Sequence, residues 1–320
     1  MSVKWHGHTS KPRKVNGGGP AGATLGLLEY ISQSNDCADA VPVDDRFRFV
    51  DDLSFLEILS LLMVGLVTFD VSRIVSSNLL ESNLFLPPES LKSQQYLEEI
   101  NQWTLENKML INENQTKNML FNFSKNFQFT TQLILNGKPL ETVDKMKILG
   151  TIITKDLKWD QNTSEIVKKA NTRMTLLRKI ASFNPPREDL KTIYFLFVHS
   201  ILEQSAVVWH SSLSKENSID IERVQKSAVK VILGANYKGY KKSLDILEMQ
   251  TLEERRKELC LKFAKRCLEN PKLKETFPVN KRKHSMQLRK PEKYKIHYAK
   301  GERLKRSPII YMQKLLNENL

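Results

Sequence analysis

The change of residue pattern near Trp159 is the feature that most constrains how this chain folds. Before it, short runs such as residues 47–50 have the aromatic and β-branched content of strands. After it, apolar residues recur at three- and four-residue spacing, which is typical of amphipathic helices. With 320 residues the chain can bury more than one core. We therefore expect an α+β fold with a mixed first half and a helical second half.

The first half is predicted to contain short strands and two helices. We expect strands at residues 47–50, 53–62, 118–123, 132–135 and 147–153, and helices at residues 23–34 and 89–108. The dipeptide Asn136-Gly137 strongly favours a two-residue hairpin turn, so a hairpin is predicted there. The second helix would place Leu91, Leu97, Ile100 and Trp103 on one side.

The second half is predicted to be helical. We expect helices at residues 163–181, 188–208, 219–233, 243–249 and 252–269, followed by a basic, partly extended segment. The longest apolar run in the chain, residues 58–69, is well short of the roughly 20 residues that a membrane span requires. No membrane partner is therefore expected.

Charge is distributed unevenly along the chain. The formal net charge of +14 arises from 50 Lys and Arg against 36 Asp and Glu. Residues 1–160 carry 16 basic and 19 acidic residues, whereas residues 161–320 carry 34 basic and 17 acidic ones. This excess indicates a polyphosphate partner for the second half. A solvated, lysine-rich surface would give the same composition, so both interpretations stay open.

The three cysteines, Cys37, Cys260 and Cys267, bear on the compartment and on metal binding. They are too few for a disulfide framework, and their spacing fits no zinc site. We therefore expect a reducing compartment, the nucleus or the cytoplasm. Cys260 and Cys267 are two helical turns apart, so they share a helix face and are expected to pack in a core.

Two adjacent carboxylates, Asp51 and Asp52, lie between apolar, strand-like segments. Carboxylates in apolar surroundings need a compensating cation, and Mg²⁺ bound at a hairpin tip would supply one. Alternation along a strand puts Asp51 on the face of the preceding phenylalanines and Asp52 on the opposite face, so one of them would be the principal ligand. A solvent-exposed Asp-Asp turn is the alternative, and the pair alone favours that simpler interpretation.

Several motifs in order along the chain resemble those of one polymerase family. They are the Gly-rich turn at residues 15–26, which contains Gly19, Pro20, Ala21 and Gly22, the stretch Phe49-Val50-Asp51-Asp52, residues 105–120 with Asn112 and Thr116, residues 147–153 with Leu149 and Gly150, and the stretches 202–209 and 222–226. Together they resemble the reverse transcriptases of non-LTR (LINE-type, jockey-like) retrotransposons. The resemblance extends from about residue 3 to residue 316.

The resemblance implies RNA-directed DNA synthesis by two-metal nucleotidyl transfer with Mg²⁺. The implied site residues are Asp51 and Asp52 as catalytic, metal-binding carboxylates, Gly19, Pro20, Ala21 and Gly22 in the nucleotide and template pocket, Leu149 and Gly150 in the primer grip, and Lys117 as the candidate proton donor. Asp51 would be a metal ligand, with Asp52 in support. The implied nucleic-acid-binding residues are Lys168, Lys169, Arg173, Arg223, Lys226, Lys281, Arg282 and Lys283. The implied partners are an RNA template, a DNA primer and dNTPs.

Three departures from the family pattern bear on activity. The family has a third carboxylate on a strand upstream of the Gly-rich turn, and no acidic residue precedes Glu29 here. Ala21 stands where the family has Gln, and Gln115 stands where it has the Lys proposed to protonate pyrophosphate. Lys117, two residues further on, is the candidate substitute. We therefore expect a truncated copy with weak or no polymerase activity alone, or else a non-catalytic nucleic-acid-binding remnant of the element.

These patterns divide the chain into three expected regions. They are a partial right-hand polymerase palm at residues 1–158, a helical thumb-like domain at residues 159–250 and a basic helical tail at residues 251–320. His199 and His210, near the apolar helix, are expected to be partly buried and hydrogen-bonded. In the tail, Tyr294 and Tyr298 are interleaved with lysines, and base stacking or an amphipathic surface helix would each explain them.

Overall fold

The computed structural model describes residues 4–5, 8–9, 46–49, 52–55, 82–86, 91–123, 127–280 and 293–319, with side chains from residue 91 onward except at 127–129. These residues mix helices with short strands, in agreement with the expected α+β class. The predicted helix at 23–34 lies outside them. The chain divides into two compact units, Met1–Asp144 and Lys145–Leu320.

The first unit contains pairs of short strands. The antiparallel pairs are β1 (Lys4–Trp5) with β2 (His8–Thr9), β3 (Arg46–Phe49) with β4 (Asp52–Phe55), and β8 (Ile134–Leu135) with β9 (Lys138–Pro139). The parallel pairs are β5 (Ser82–Leu86) with β7 (Phe127–Thr131), and β6 (Lys117–Asn118) with β10 (Glu141–Thr142). The strands predicted at 47–50 and 53–62 are confirmed as the β3–β4 hairpin up to Phe55, and residues 56–62 lie outside the described part.

The predicted strand at residues 118–123 is wrong beyond Asn118. Its partner β10 is only two residues long, so the ladder ends where Asn118 meets Thr142. The Val143 N–H then donates to the Asn118 carbonyl oxygen at 2.8 Å. Residues 119–123 therefore continue without strand pairing.

Helix α1 (Lys92–Glu106) confirms the predicted helix at 89–108. Asn136 and Gly137 connect β8 to β9 with φ angles of 52° and 74°, which confirms the predicted two-residue turn. The helix and the β8–β9 hairpin share a small apolar core of Leu91, Leu97, Leu133, Leu135 and Leu140.

Gln94 fastens α1 to this hairpin. Its Oε1 accepts a hydrogen bond from the backbone N–H of Ile134 (2.9 Å), and its Nε2 donates to the carbonyl oxygen of the same residue (3.0 Å). Gln94 is buried, so both ends of its amide are satisfied where water has little access. A side chain here supplies the pairing that another strand would otherwise provide.

The second unit begins with a hairpin of β11 (Lys145–Ile148) and β12 (Thr151–Thr154). Leu149 and Gly150 connect the strands at φ angles of 48° and 83°. The single strand predicted at 147–153 is therefore wrong, because these two residues reverse the chain.

This hairpin belongs with the helices that follow it. Ile153 packs against the larger helical core, and the Ile152 N–H donates to Asn162 Oδ1 at 3.0 Å. The division between the units consequently falls after Asp144, ahead of the boundary drawn from sequence at residue 158.

After this hairpin, most of the described residues of the second unit are helical. In chain order they are α2 (Asp160–Ala181), α3 (Arg187–Tyr194), α4 (Ser200–Glu203), α5 (Ala206–Trp209), α6 (Lys215–Leu233), α7 (Tyr240–Leu247), α8 (Leu252–Glu269), α9 (Pro271–Lys274), α10 (Glu302–Lys305) and α11 (Pro308–Glu318). The predictions at 163–181, 219–233, 243–249 and 252–269 are confirmed as α2, α6, α7 and α8.

The predicted long helix at 188–208 is interrupted. A π-helical turn, Phe195–His199, joins α3 to α4, and Ser205 at φ 52° ends the run before α5. Trp209 Nε1 donates to the Gln204 carbonyl oxygen at 3.0 Å, which satisfies a carbonyl that the break leaves without a helical partner. By length and composition alone, Arg187–Ser212 is the one helical stretch among the described residues that could cross a membrane.

Two apolar cores stabilise the second unit. The larger core includes residues with no exposed surface, among them Met174, Tyr194, Leu202, Trp209 and Ile221. The smaller core, in the tail, contains Cys260, Cys267, Phe277, Tyr294, Met312 and Leu315. The predicted packing role of Cys260 and Cys267 is confirmed, and Cys37 lies outside the described residues.

Candidate nucleic-acid interface

The β3–β4 hairpin carries the carboxylates to which the sequence points. Its register pairs Phe49 with Asp52, so residues 50–51 connect the two strands. Asp51 lies outside the described residues, as do the predicted pocket residues Gly19, Pro20, Ala21 and Gly22. The side chain of Asp52 likewise lies outside the described part, and carboxylate oxygens are the ligand type that Mg²⁺ prefers.

Lys117, the candidate proton donor, lies on β6. Its ammonium group forms an ion pair with the carboxylate of Glu141 on the neighbouring strand β10. The next pair along the ladder is also joined, because Asn118 Nδ2 donates to Thr142 Oγ1 at 3.2 Å. Proton donation by Lys117 would therefore require the ion pair with Glu141 to open.

The candidate primer-grip residues Leu149 and Gly150 form the tip of the β11–β12 hairpin. Gln204, at the break in the helical run, donates from Nε2 to the Leu149 carbonyl oxygen at 3.2 Å. A Cβ added at Gly150 would collide with that nitrogen, and φ of 83° also favours glycine there. Sequence reasoning identifies the tip but misses Gln204, because the contact joins distant parts of the chain.

Helix α2 carries three of the predicted nucleic-acid-binding cations. Lys168 is exposed, whereas Lys169 Nζ lies 3.3 Å from Oε1 of Glu165, one turn earlier. Arg173 follows Lys169 by one turn and shares its side of the helix. Because successive residues point about 100° apart, Lys168 faces a different direction. The structure therefore does not gather these three cations on one face.

Helix α6 presents a continuous basic face. Arg223, Lys226 and Lys230 lie at positions i, i+3 and i+7 and are all exposed; these three residues are the α6 basic face. Arg223 Nη1 lies 2.6 Å from Asp220 Oδ1, and Lys230 Nζ lies 5.5 Å from the centre of the Tyr237 ring. Lys226 has no ion-pair partner among the described residues. The structure thus adds Lys230 to two residues that the sequence predicts.

A second basic feature lies in the tail, where residues 293–300 run antiparallel to α11. Asn317 Oδ1 accepts from the Tyr294 N–H and its Nδ2 donates to the Tyr294 carbonyl oxygen, both at 2.9 Å. One turn earlier, Gln313 Oε1 accepts from the His297 N–H at 2.9 Å. Gln313 has no exposed surface. Two amides on one helix face therefore fix this extended segment.

The segment and helices α10 and α11 line a cavity of about 460 Å³, the tail cleft. Its lining includes Lys295, Ile296, His297, Tyr298, Lys305, Ile310 and Lys314. Lys305 Nζ lies 2.6 Å from Glu302 Oε1. This contact, with Lys314 contributing at longer range, lowers the pKa of Glu302. Three lysines and one paired carboxylate thus make the cleft electropositive.

The two tail tyrosines differ in exposure. Tyr294 is 9% exposed and packs in the tail core, whereas Tyr298 is 82% exposed. Tyr294 therefore has a packing role, and stacking on a base is open to Tyr298. The predicted basic residues Lys281, Arg282 and Lys283 lie outside the described residues.

Arg256 is fully buried in the second unit. Its Nε donates to His210 Nδ1 and its Nη2 to Ser218 Oγ, both at 3.2 Å, and its guanidinium carbon lies 5.9 Å from the centre of the Trp209 ring. Burial, reinforced by Arg256, lowers the pKa of His210 to about 4. His210 Nε2 also lies 3.3 Å from the Tyr311 hydroxyl. The prediction of a partly buried, hydrogen-bonded His210 is confirmed.

Of the predicted nucleic-acid-binding residues, Arg223 and Lys226 lie together on one face of α6. Among the residues with described side chains, no group of three His, Cys, Asp or Glu could hold a metal ion. Comparison with protein-family models, curated proteins and solved structures gave no match to this chain. A function must therefore be argued from the residues themselves.

Proposed function

We propose that this chain is part of a non-LTR retrotransposon reverse transcriptase, an RNA-directed DNA polymerase whose second half binds the RNA template and DNA primer. The observation that carries the proposal is the β3–β4 register, in which Asp52 pairs with Phe49. In the polymerase family that the sequence resembles, the aromatic-x-Asp-Asp motif lies on a hairpin, and β3 pairs antiparallel with β4 here. The α6 basic face supports the second part, because cations on a helix contact phosphates without reading bases.

In this proposal Asp51 and Asp52 hold Mg²⁺, which when bound activates the primer hydroxyl and neutralises charge on the transferring phosphate of a dNTP. The α6 basic face holds the nucleic-acid backbone through its ammonium and guanidinium groups. At the β11–β12 tip, Gly150 allows the tight turn at positive φ, and the Gln204 amide occupies the space beside its Cα. Gln204 keeps that tip in one conformation through the Leu149 carbonyl.

We expect this chain alone to be a weak polymerase, because two carboxylates bridge two metal ions less well than three. Primer extension on poly(rA)–oligo(dT) with Mg²⁺ tests this, with Asp51→Asn as the variant and Asp245→Asn, exposed on α7, as the matched control. The expected result is trace incorporation that the Asp51 change removes and the Asp245 change leaves intact. Robust Asp51-dependent incorporation would contradict the expected weakness. Incorporation independent of Asp51 would contradict the polymerase proposal.

A non-catalytic nucleic-acid-binding remnant of the element is the alternative function. The α6 basic face favours it, since phosphate binding needs no metal ion. Labelled RNA titrated at about 50 and 200 mM salt measures this binding. The triple change Arg223→Ala, Lys226→Ala and Lys230→Ala should weaken it, whereas Lys265→Ala, exposed on α8, should not. Tight, salt-sensitive binding without Mg²⁺-dependent incorporation would favour this alternative.

A further inference from the structure

The tail cleft combines charge, an apolar wall and an exposed aromatic ring. Lys295, Lys305 and Lys314 supply the charge, and Ile296 with Ile310 supplies the apolar part. Its volume of about 460 Å³ lies within the roughly 300–1,000 Å³ typical of small-ligand sites. Lysines bind phosphate, and an exposed tyrosine ring can stack on a base. This combination suits one nucleotide.

The backbone that carries these side chains is fixed by hydrogen bonds, and the side chains of Lys295 and Tyr298 are exposed and can meet a ligand. Asn317 holds Tyr294 on one side of Lys295, and Gln313 holds His297 on the other. The Lys295 N–H itself donates to the Pro278 carbonyl oxygen at 2.8 Å. A preorganised site loses less conformational entropy when its ligand binds.

We infer that the tail cleft binds one nucleotide of single-stranded RNA, with a backbone phosphate held by Lys295 and Lys314 and the base stacked on Tyr298. The identity of the partner as RNA rests on the proposed function. A single strand is required because a paired base inside a helix is already stacked on both faces. The tail cleft is thus a binding site in addition to the α6 basic face.

Glu302 limits the affinity of the cleft for a phosphate. Its carboxylate pairs with Lys305 and lies close enough to Lys314 to feel its charge. It therefore neutralises Lys305 and, at longer range, lowers the positive potential that Lys314 presents to a phosphate. Glu302→Gln keeps the size of the side chain and removes its charge, so this variant should bind RNA more tightly. A variant that merely damages the fold could not produce such a gain.

The test is a fluorescence-anisotropy titration of the full chain with a labelled oligouridine of about 12 nucleotides at several salt concentrations. Tyr298→Ala should weaken binding roughly 5- to 150-fold, the effect of one stacked base, with little change in salt dependence, and Tyr298→Phe should retain binding. Lys314→Ala should weaken binding and lower the slope of log affinity against log salt by about 0.7. Lys265→Ala is the matched control.

The outcomes separate this inference from the proposed function. If the Tyr298, Lys314 and Glu302 variants bind like the parent while the triple α6 variant loses affinity, the cleft assignment is overturned and the proposed function stands. If the parent chain does not bind oligouridine, the cleft assignment is overturned, and primer extension decides the proposed function separately. The side chains of Tyr298, Lys314 and Glu302 are all exposed, so the thermal unfolding of each variant should match that of the parent.

Discussion

Both units use a side-chain amide on a helix to hold extended backbone, but the amides act in different settings. In the first unit, Gln94 bonds both backbone groups of Ile134, which already belongs to a hairpin. In the second, Gln313 and Asn317 hold a segment whose strand-like pairing, among the described residues, is a single bridge at Tyr294. In both units the amide bonds backbone groups that the paired strand does not reach, but Ile134 is exposed and lies in a hairpin, whereas Tyr294 is buried and has a single bridge.

The two units also differ in how much apolar surface supports these polar contacts. The described core of the first unit consists of a few leucines around α1 and one hairpin. The second unit has a large helical core and a separate tail core. We therefore expect core substitutions to lower the free energy of unfolding most in the larger helical core. Amide substitutions should lower it most where the backbone that the amide bonds is buried.

The largest expected effect is that of Trp209→Ala in the large core. Trp209 has no exposed surface and also contacts Arg256, so its removal should lower the free energy of unfolding by about 3–5 kcal/mol. Leu97→Ala, in the leucine core of the first unit, should lower the free energy of unfolding by about 2–3 kcal/mol. Urea denaturation measures both, with Val208→Ala, 44% exposed, as the control within about 1 kcal/mol. Equal losses from Trp209 and Val208 would contradict the packed core.

The second-largest expected effect is a loss of stability of the second unit at acidic pH. The pKa of His210 is lowered to about 4 in the folded chain, whereas an unfolded histidine titrates near 6.5. Between these values the unfolded chain binds the extra proton, so the free energy of unfolding should fall by up to about 3 kcal/mol as the pH drops from 6.5 to 4. His210→Gln should flatten this dependence, as measured by urea denaturation across that range. An unchanged slope would rule out His210 as its source.

The smallest expected effect is the loss of stability when one of the helix amides is removed, and it compares the two amide contacts directly. Asn317→Ala leaves two backbone groups of Tyr294 without their partner and should cost about 1–3 kcal/mol. Gln94→Ala should cost less, because Ile134 is 40% exposed against 9% for Tyr294, so water can reach its freed backbone groups more easily. Asn236→Ala, at an exposed position, is the control. Urea denaturation with hydrogen exchange at Tyr294 gives the values, and equal costs at Asn317 and Gln94 would remove the distinction between the two settings.

Elements with strong local signals could be predicted from sequence. Apolar residues recur at helical spacing along α2, among them Ile166, Met174 and Leu177, and their side chains face the larger helical core. The turn at Asn136-Gly137 follows from the ease with which both residues adopt positive φ. In these places the local preference and the packed structure agree.

Features that depend on distant partners could not be predicted. Gln313 and Asn317 have the spacing of polar residues on a helix surface, yet they face an extended segment some 20 residues earlier in the chain. Arg256 lies in a stretch rich in charge, where exposure is the usual expectation, and it is fully buried. The break at Ser205 ends the polar stretch Glu203-Gln204-Ser205, and its φ of 52° has no residue signature of the kind that glycine would give.

Gly150 and Gln204 lie in contact, and this contact bears on which substitutions each position accepts. A side chain at position 150 would collide with Gln204, whereas loss of Gln204 would leave the Leu149 carbonyl without that bond. A side chain at position 150 would be strained at φ of 83° whatever residue stands at 204, whereas the amide of Gln204 ends a flexible side chain and can move aside. In descendants of this sequence, position 150 should therefore stay glycine, while position 204 can change at the cost of one hydrogen bond.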